Sequence, residues 1–179
     1  MRTRILAIIA TGALVLAAGE GAAQQPAAPA PNPLDVIPEK MPFSTPYGAP
    51  ISADRANAVI QAAANEARTK GWPMNIAVVD SGANLVAFLR MDGAQLASIA
   101  IAEHKARVAA QYRRPTKVFE DAVQKGGLNY IMTLDDVIAS RGGIPLIEDG
   151  RLIGAIGCSG GTGSQDEVVC QAGAATINK

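Results

Sequence analysis

Few residues in this chain can carry chemistry. His104 is the only histidine, and its imidazole is the best neutral metal ligand on offer. Met41, Met74, Met91 and Met132 are softer alternatives, although methionine more often fills a core. A lone histidine between Glu103 and Lys105 on a helical stretch is equally at home as a surface or packed residue. Cys158 and Cys170 are the only cysteines; they either bridge or lie as two small buried thiols. Around Cys158, residues 142–167 read GGIPLIEDGRLIGAIGCSGGTGSQDE and hold eight of the chain's 18 glycines. Backbone can come close to a neighbour or a ligand there without side-chain obstruction. Gly160, Gly161, Gly163 and Ser164 stand where a helix begins, so their N–H groups can hold a small carboxylate. Asp166 and Glu167 bring negative charge to the same place, and their simpler role is to complement the helix dipole.

Other chemistries find little support. Ser159 follows a hairpin strand within Gly157-Cys158-Ser159-Gly160-Gly161, and the chain offers no base for it unless His104 is near. Neither a dinucleotide fingerprint nor a phosphate-binding loop with its lysine occurs. One histidine and no paired thiol motif argue against a conventional zinc site.

The elements that must position these residues follow from periodicity. Ser52 is placed to cap a helix over 53–70, with Ala56, Val59, Ile60, Ala63, Ala64 and Ala67 at helical spacing. Gly71-Trp72-Pro73 stops it. Runs 75–80 and 84–91 make a first hairpin around Ser81-Gly82-Ala83. Residues 95–111 are helical, with Ile99, Ala102, Ala106 and Ala109 on one face and Glu103, Lys105 and Arg107 marking the other. Pro115 interrupts, Thr116 is placed to cap a helix over 117–124, and Gly126-Gly127 ends it. A further short strand is expected near 137–139. Runs 144–147 and 152–156 flank Asp149-Gly150, a strong hairpin signal, and 165–177 forms a closing helix. The order implies an antiparallel sheet with helices packed on it, an α+β fold.

The N-terminus reads as a secretory signal peptide over 1–23: Arg2 and Arg4, an apolar run, then Gly21-Ala22-Ala23. The run is short for a membrane span, so no span is expected after cleavage and the location is periplasmic or secreted; the alternative is an uncleaved anchor. Residues 24–50 are rich in Pro and Ala and read as an extended arm. Residues 51–179 remain for one domain with one sizeable core. Removing the leader leaves 14 Lys and Arg against 15 Asp and Glu, a net charge of −1. That balance gives no reason to expect nucleic acid as a partner. In an exported protein, a bridge between Cys158 and Cys170 is permitted.

Three segments resemble one family: NIAVVDSGANLVAFLRMDGA at 75–94, SIAIAEHKARVAA at 98–110, and the glycine-rich stretch at 142–167. Their order and spacing are similar to the haem-binding GlcG/HbpS family, which includes the C-terminal domain of PduO proteins. The resemblance covers about 51–177. It implies a five-stranded antiparallel sheet flanked by helices and homo-oligomers with ligand sites near subunit contacts. It also implies haem as cofactor in some members and extracellular redox sensing in one. Arg113-Arg114-Pro115-Thr116 resembles the segment whose threonine lies near the iron in the haem-binding branch, with Arg113 and Arg114 suited to the propionates; Thr116 serves equally as a helix cap. Cys158 and Cys170 depart from the small apolar residues usual at those positions, and the long arm is a further departure.

The sequence therefore points to an exported, non-enzymatic protein that binds haem or another small ligand, in sensing or haem buffering, with His104, Thr116, Arg113 and Arg114 as its site. The alternatives are an enzyme or accessory protein for a small hydroxy or oxo acid, anchored at Gly160, Gly161, Gly163 and Ser164, and an oligomeric interaction scaffold. Self-association is expected through the Ala-rich helical faces and the glycine-rich turn, or else those stripes pack on the chain's own sheet.

Overall fold

The computed structural model describes residues 32, 35–41 and 43–178, so the leader and most of the arm lie outside the described residues. The chain divides into two units, Met1–Glu39 and Lys40–Lys179, and the architecture below belongs to the second.

Helix α1 (Ala53–Lys70) begins where the Ser52 side chain accepts from the Arg55 N–H and ends at Gly71, whose φ of 69° is left-handed. All six residues of its expected apolar stripe are buried. Strands β1 (Asn75–Asp80) and β2 (Leu85–Arg90) form the first hairpin, and β3 (Gly143–Glu148) and β4 (Arg151–Ser159) the second. They join into one antiparallel sheet of order β2-β1-β4-β3. Period-two alternation gives the central strands two different faces. Ile76, Val78, Ile156 and Cys158 face α1 and α4 (Gly163–Ala174), whereas Ala77, Val79 and Ala155 face α2 (Ser98–Gln111). A third apolar cluster of Val108, Phe119 and Ile131 joins α2 to α3 (Lys117–Gln124) and the segment that follows it.

The sheet has four strands, not five. Residues 137–139 are irregular and follow a 3₁₀ turn at Asn129–Thr133. Their apolar side chains pack against the third cluster instead. No edge was open to them on that side: β4 is flanked by β1 and β3, and the Asn178 side chain accepts from Ile147 N–H and donates to the Pro145 carbonyl on β3 (2.7 and 2.9 Å). Where β1 stops, the backbone of residues 46–51 takes up the vacated edge of β4. Tyr47 makes a lone parallel bridge with Leu152, and Gly48 and Ile51 donate to the Leu152 and Ile153 carbonyls.

Glycines set the distance between α2 and the sheet. A Cβ on Gly157 would lie 2.1 Å from the Ala102 carbonyl oxygen, and one on Gly143 would lie 2.3 Å from that of Lys105. The alanine stripe of α2 and the glycines of β3 and β4 thus bring helix backbone onto sheet backbone. Similarly, Gly160 meets Pro73 and Met74, and Gly154 meets Val79. The close neighbour of the glycine-rich stretch is the protein itself.

Candidate functional site

Helix α2 ends on a residue of unusual geometry. Arg113 has φ of 53°, the left-handed conformation normally left to glycine. Arg113 N–H donates to the Ala110 carbonyl and Arg114 N–H to the Ala109 carbonyl (both 3.3 Å), the double closure of a Schellman turn. Pro115 follows, as is common past such a terminus. The two guanidinium groups take different partners. Arg113 donates to the Thr45 carbonyl and lies over the Tyr47 ring. Arg114 enters an aromatic surround: its Cζ is 3.3 Å from the Phe43 ring centroid, 5.5 Å from Phe119 and 5.9 Å from Tyr112. Tyr112 and Phe119 themselves meet edge to face at 5.1 Å.

Arg114 lines a cleft of about 300 Å³ between the end of α2, α3 and the segment 128–134. Tyr112, Tyr130, Phe119, Leu128 and Ile131 contribute to its otherwise apolar walls. Burial, and then the neighbouring Arg113 charge, push the Arg114 pKa below its ordinary value. Its Nε donates to the Tyr112 carbonyl at 3.0 Å, and among the described residues no carboxylate pairs with it. A half-buried cation without a counter-ion, facing an apolar space, is built to receive an anion attached to an apolar body.

Thr116 is completely buried. Its hydroxyl accepts from Gly143 N–H at 2.9 Å, and its own N–H donates to the Gly143 carbonyl at 3.0 Å. It stands at the N-cap position of α3 without making a side-chain cap bond; its hydroxyl fastens β3 to the α2–α3 turn. His104 is half-buried on α2, with Nε2 2.9 Å from the Asp136 carbonyl oxygen. Two turns on, the Tyr112 hydroxyl donates to the Asp135 carbonyl. This face of α2 thus carries the segment that closes one side of the cleft. Met74 is buried in the core, while Met41 and Met132 are exposed. Among the described residues, no group of three His, Cys, Asp or Glu side chains is arranged to hold a metal ion.

The glycine-rich turn already holds a carboxylate, and it belongs to the chain. Gly160 and Gly161 N–H groups donate to Asp166 Oδ1 at 3.1 and 3.0 Å, and Lys105 Nζ donates to Oδ2 at 2.7 Å. Lys105 and Asp166 are 1% and 3% exposed. Lys105, expected on the polar face of its helix, is therefore inside. The α4 cap is Thr162, reciprocated by Gln165 in a capping box. Nearby, Arg141 ties Glu120 of α3 to Glu167 of α4. Cys158 and Cys170 form a disulfide with Cα atoms 5.6 Å apart, linking β4 to α4. No helix among the described residues is long and apolar enough to cross a membrane.

Sequence reasoning named both arginines but missed the rings that make a site of one of them. Phe43, Tyr112, Phe119 and Tyr130 come from four segments with no shared periodicity. The one available signal was that seven Phe, Tyr and Trp residues in the whole chain include two, Tyr112 and Phe119, flanking Arg113-Arg114-Pro115-Thr116.

Fold and site together define an α+β domain with a cationic, aromatic-lined cleft. The chain belongs to the HbpS-like family: the family model described as "Haem degrading protein HbpS-like" matches residues 51–175. Protein GlcG of Escherichia coli (strain K12) is 40% identical over 109 residues, 61% of this chain and 81% of that protein. A double mutant of Streptomyces reticuli HbpS has a crystal structure 28% identical to this chain, with a TM-score of 0.64, over 84% of this chain and 100% of that one. The crystal structure of a PduOC–haem complex is 31% identical with a TM-score of 0.65, over 73% of this chain and 96% of that one.

Proposed function

We propose that this protein binds haem in the cleft beside Arg114, in an oxidising compartment outside the cytoplasm. The observation that carries the reading is the Arg114 guanidinium, half-buried, without a carboxylate partner among the described residues and bordering an apolar cleft. A haem edge offers that cleft an apolar plane and a propionate. The cleft lies at the small end of ligand pockets, which suits a ring inserted by one edge. The PduOC–haem relative supports the choice of ligand.

Arg114 would take a propionate through charge-assisted hydrogen bonds, with Arg113 raising the local positive potential. The aromatic and aliphatic walls would exclude water from the macrocycle. His104 does not line the cleft; as the only histidine it would be the imidazole to hold the iron, on giving up its bond to the Asp136 carbonyl. Thr116 is not assigned to it, because its hydroxyl is buried and spent on Gly143. Bound haem would supply iron-centred redox and ligand chemistry, and sensing or buffering are the roles we assign to it. The disulfide supports export, since such bridges persist in oxidising compartments.

Titration of the protein with hemin tests the reading. A shifted Soret band at micromolar hemin, altered by His104→Ala and weakened by Arg114→Ala, is expected. An unshifted band at those concentrations would overturn it.

A further inference from the structure

The end of the Pro/Ala-rich arm reaches both candidate cations. The Phe43 ring covers the Arg114 guanidinium, with Cζ 3.3 Å from the ring centroid. The Thr45 carbonyl accepts from Arg113 at 3.1 Å. The Tyr47 hydroxyl donates to the Gln111 carbonyl at 2.8 Å. These contacts fasten residues 43–47 along the turn that presents Arg113 and Arg114.

The stacking distance fixes an orientation. A guanidinium standing on edge over Phe43 would drive one nitrogen about 1.3 Å deeper than Cζ, into the ring. The plane must therefore lie nearly flat on the ring. A guanidinium stacked by its face keeps its N–H edge free for a bidentate acceptor. Arg114 spends Nε on the Tyr112 carbonyl, and its terminal nitrogens meet no acceptor among the described residues.

We infer that Phe43 is a positioning residue of the ligand site: its ring holds the Arg114 fork so that both terminal nitrogens are presented to a carboxylate on an apolar ligand. The arm is then part of the site and not only a tether. This rests on the haem reading for the identity of the ligand alone; the chemistry it requires is any carboxylate on an apolar body. Phe43 touches the flat face of the cation while the carboxylate would meet its N–H edge, so its effect passes through Arg114.

The test titrates hemin, hemin dimethyl ester and dodecanoate into the wild-type protein, Phe43→Ala and Phe43→Trp, with melting temperatures taken in parallel. Phe43→Ala should weaken hemin and dodecanoate roughly tenfold and leave the weaker binding of the ester unchanged. Phe43→Trp should restore both acids, with all three proteins melting alike. Wild-type affinity for the acids in Phe43→Ala, or an equal loss for acid and ester, would overturn the inference. If dodecanoate binds with this dependence on Phe43 and hemin does not bind, the haem reading falls and the positioning role stands. If neither acid binds the wild-type protein, both fall.

Discussion

At the scale of single residues, the Lys105–Asp166 pair is where three parts of the chain converge: α2, the glycine-rich turn and the first turn of α4. A buried pair of this kind stabilises little against an apolar replacement, but losing one partner strands the other. Lys105→Met should therefore lower stability by roughly 3–5 kcal/mol, moderated by the two N–H groups that still hold Asp166. Urea unfolding measures it, and a loss under about 1 kcal/mol would contradict the assignment. Arg141 and Glu120 give a dependence on pH. Hydrogen bonds from the Arg141 side chain hold the Glu120 carboxyl below its ordinary range, against the opposing effect of burial. A folded value below the unfolded one means that the stabilisation is full above the unfolded pKa and is lost as pH falls through the folded value. Glu120→Gln should thus melt earlier than wild type near neutral pH, with the gap closing as the pH falls below the ordinary carboxylate range. A gap that widens on acidification would contradict this. Neither pair was legible in the sequence. Lys105 sits between Glu103 and Arg107 and reads as polar face, because periodicity cannot see a buried carboxylate arriving from 61 residues away.

At the scale of elements, the glycines of β3 and β4 let α2 rest on bare backbone. Gly157→Ala would place a Cβ 2.1 Å from the Ala102 carbonyl and 2.5 Å from Ala106 N, so the helix must lift. Overpacking of this kind costs about 1–3 kcal/mol or more, read as a lower urea midpoint; an unchanged midpoint would contradict the packing. The disulfide joins the sheet to α4 on its opposite face. Labelling of the denatured, unreduced protein should find almost no free thiol, and Cys158→Ala with Cys170→Ala should cost roughly 2–5 kcal/mol. Most of these elements were legible. Helix α1 begins and ends where capping and periodicity place it, α3 keeps its expected bounds without the Thr116 cap bond, and both hairpins sit on their turn residues. The short strand expected at 137–139 does not form, because three apolar residues suit a strand and a packed coil equally, and tertiary contacts chose the coil. The glycine-rich stretch was legible as a place of close approach, but not as an approach by α2.

At the scale of the whole molecule, the Ala-rich stripes of α1 and α2 are buried against the chain's own sheet, so they are not free for a partner. Exposed apolar side chains gather elsewhere, with Val118, Tyr130 and Leu134 around the cleft and Met132 beside them. A self-association that covers the cleft mouth is the form we propose, and light scattering at micromolar concentration should report at least twice the monomer mass. A monomer mass held across a concentration series would contradict it. Export is tested separately by N-terminal sequencing of protein from a periplasmic or secreted fraction, expected to begin near Gln24; intact Met1 there would contradict it. Whether the cleft beside Arg114 takes haem is tested most directly by a crystal structure of the protein grown with hemin. A propionate is expected within hydrogen-bonding distance of the Arg114 terminal nitrogens, with the macrocycle against Tyr112, Phe119 and Ile131. Haem bound elsewhere, with the Arg114 cleft empty, would contradict it.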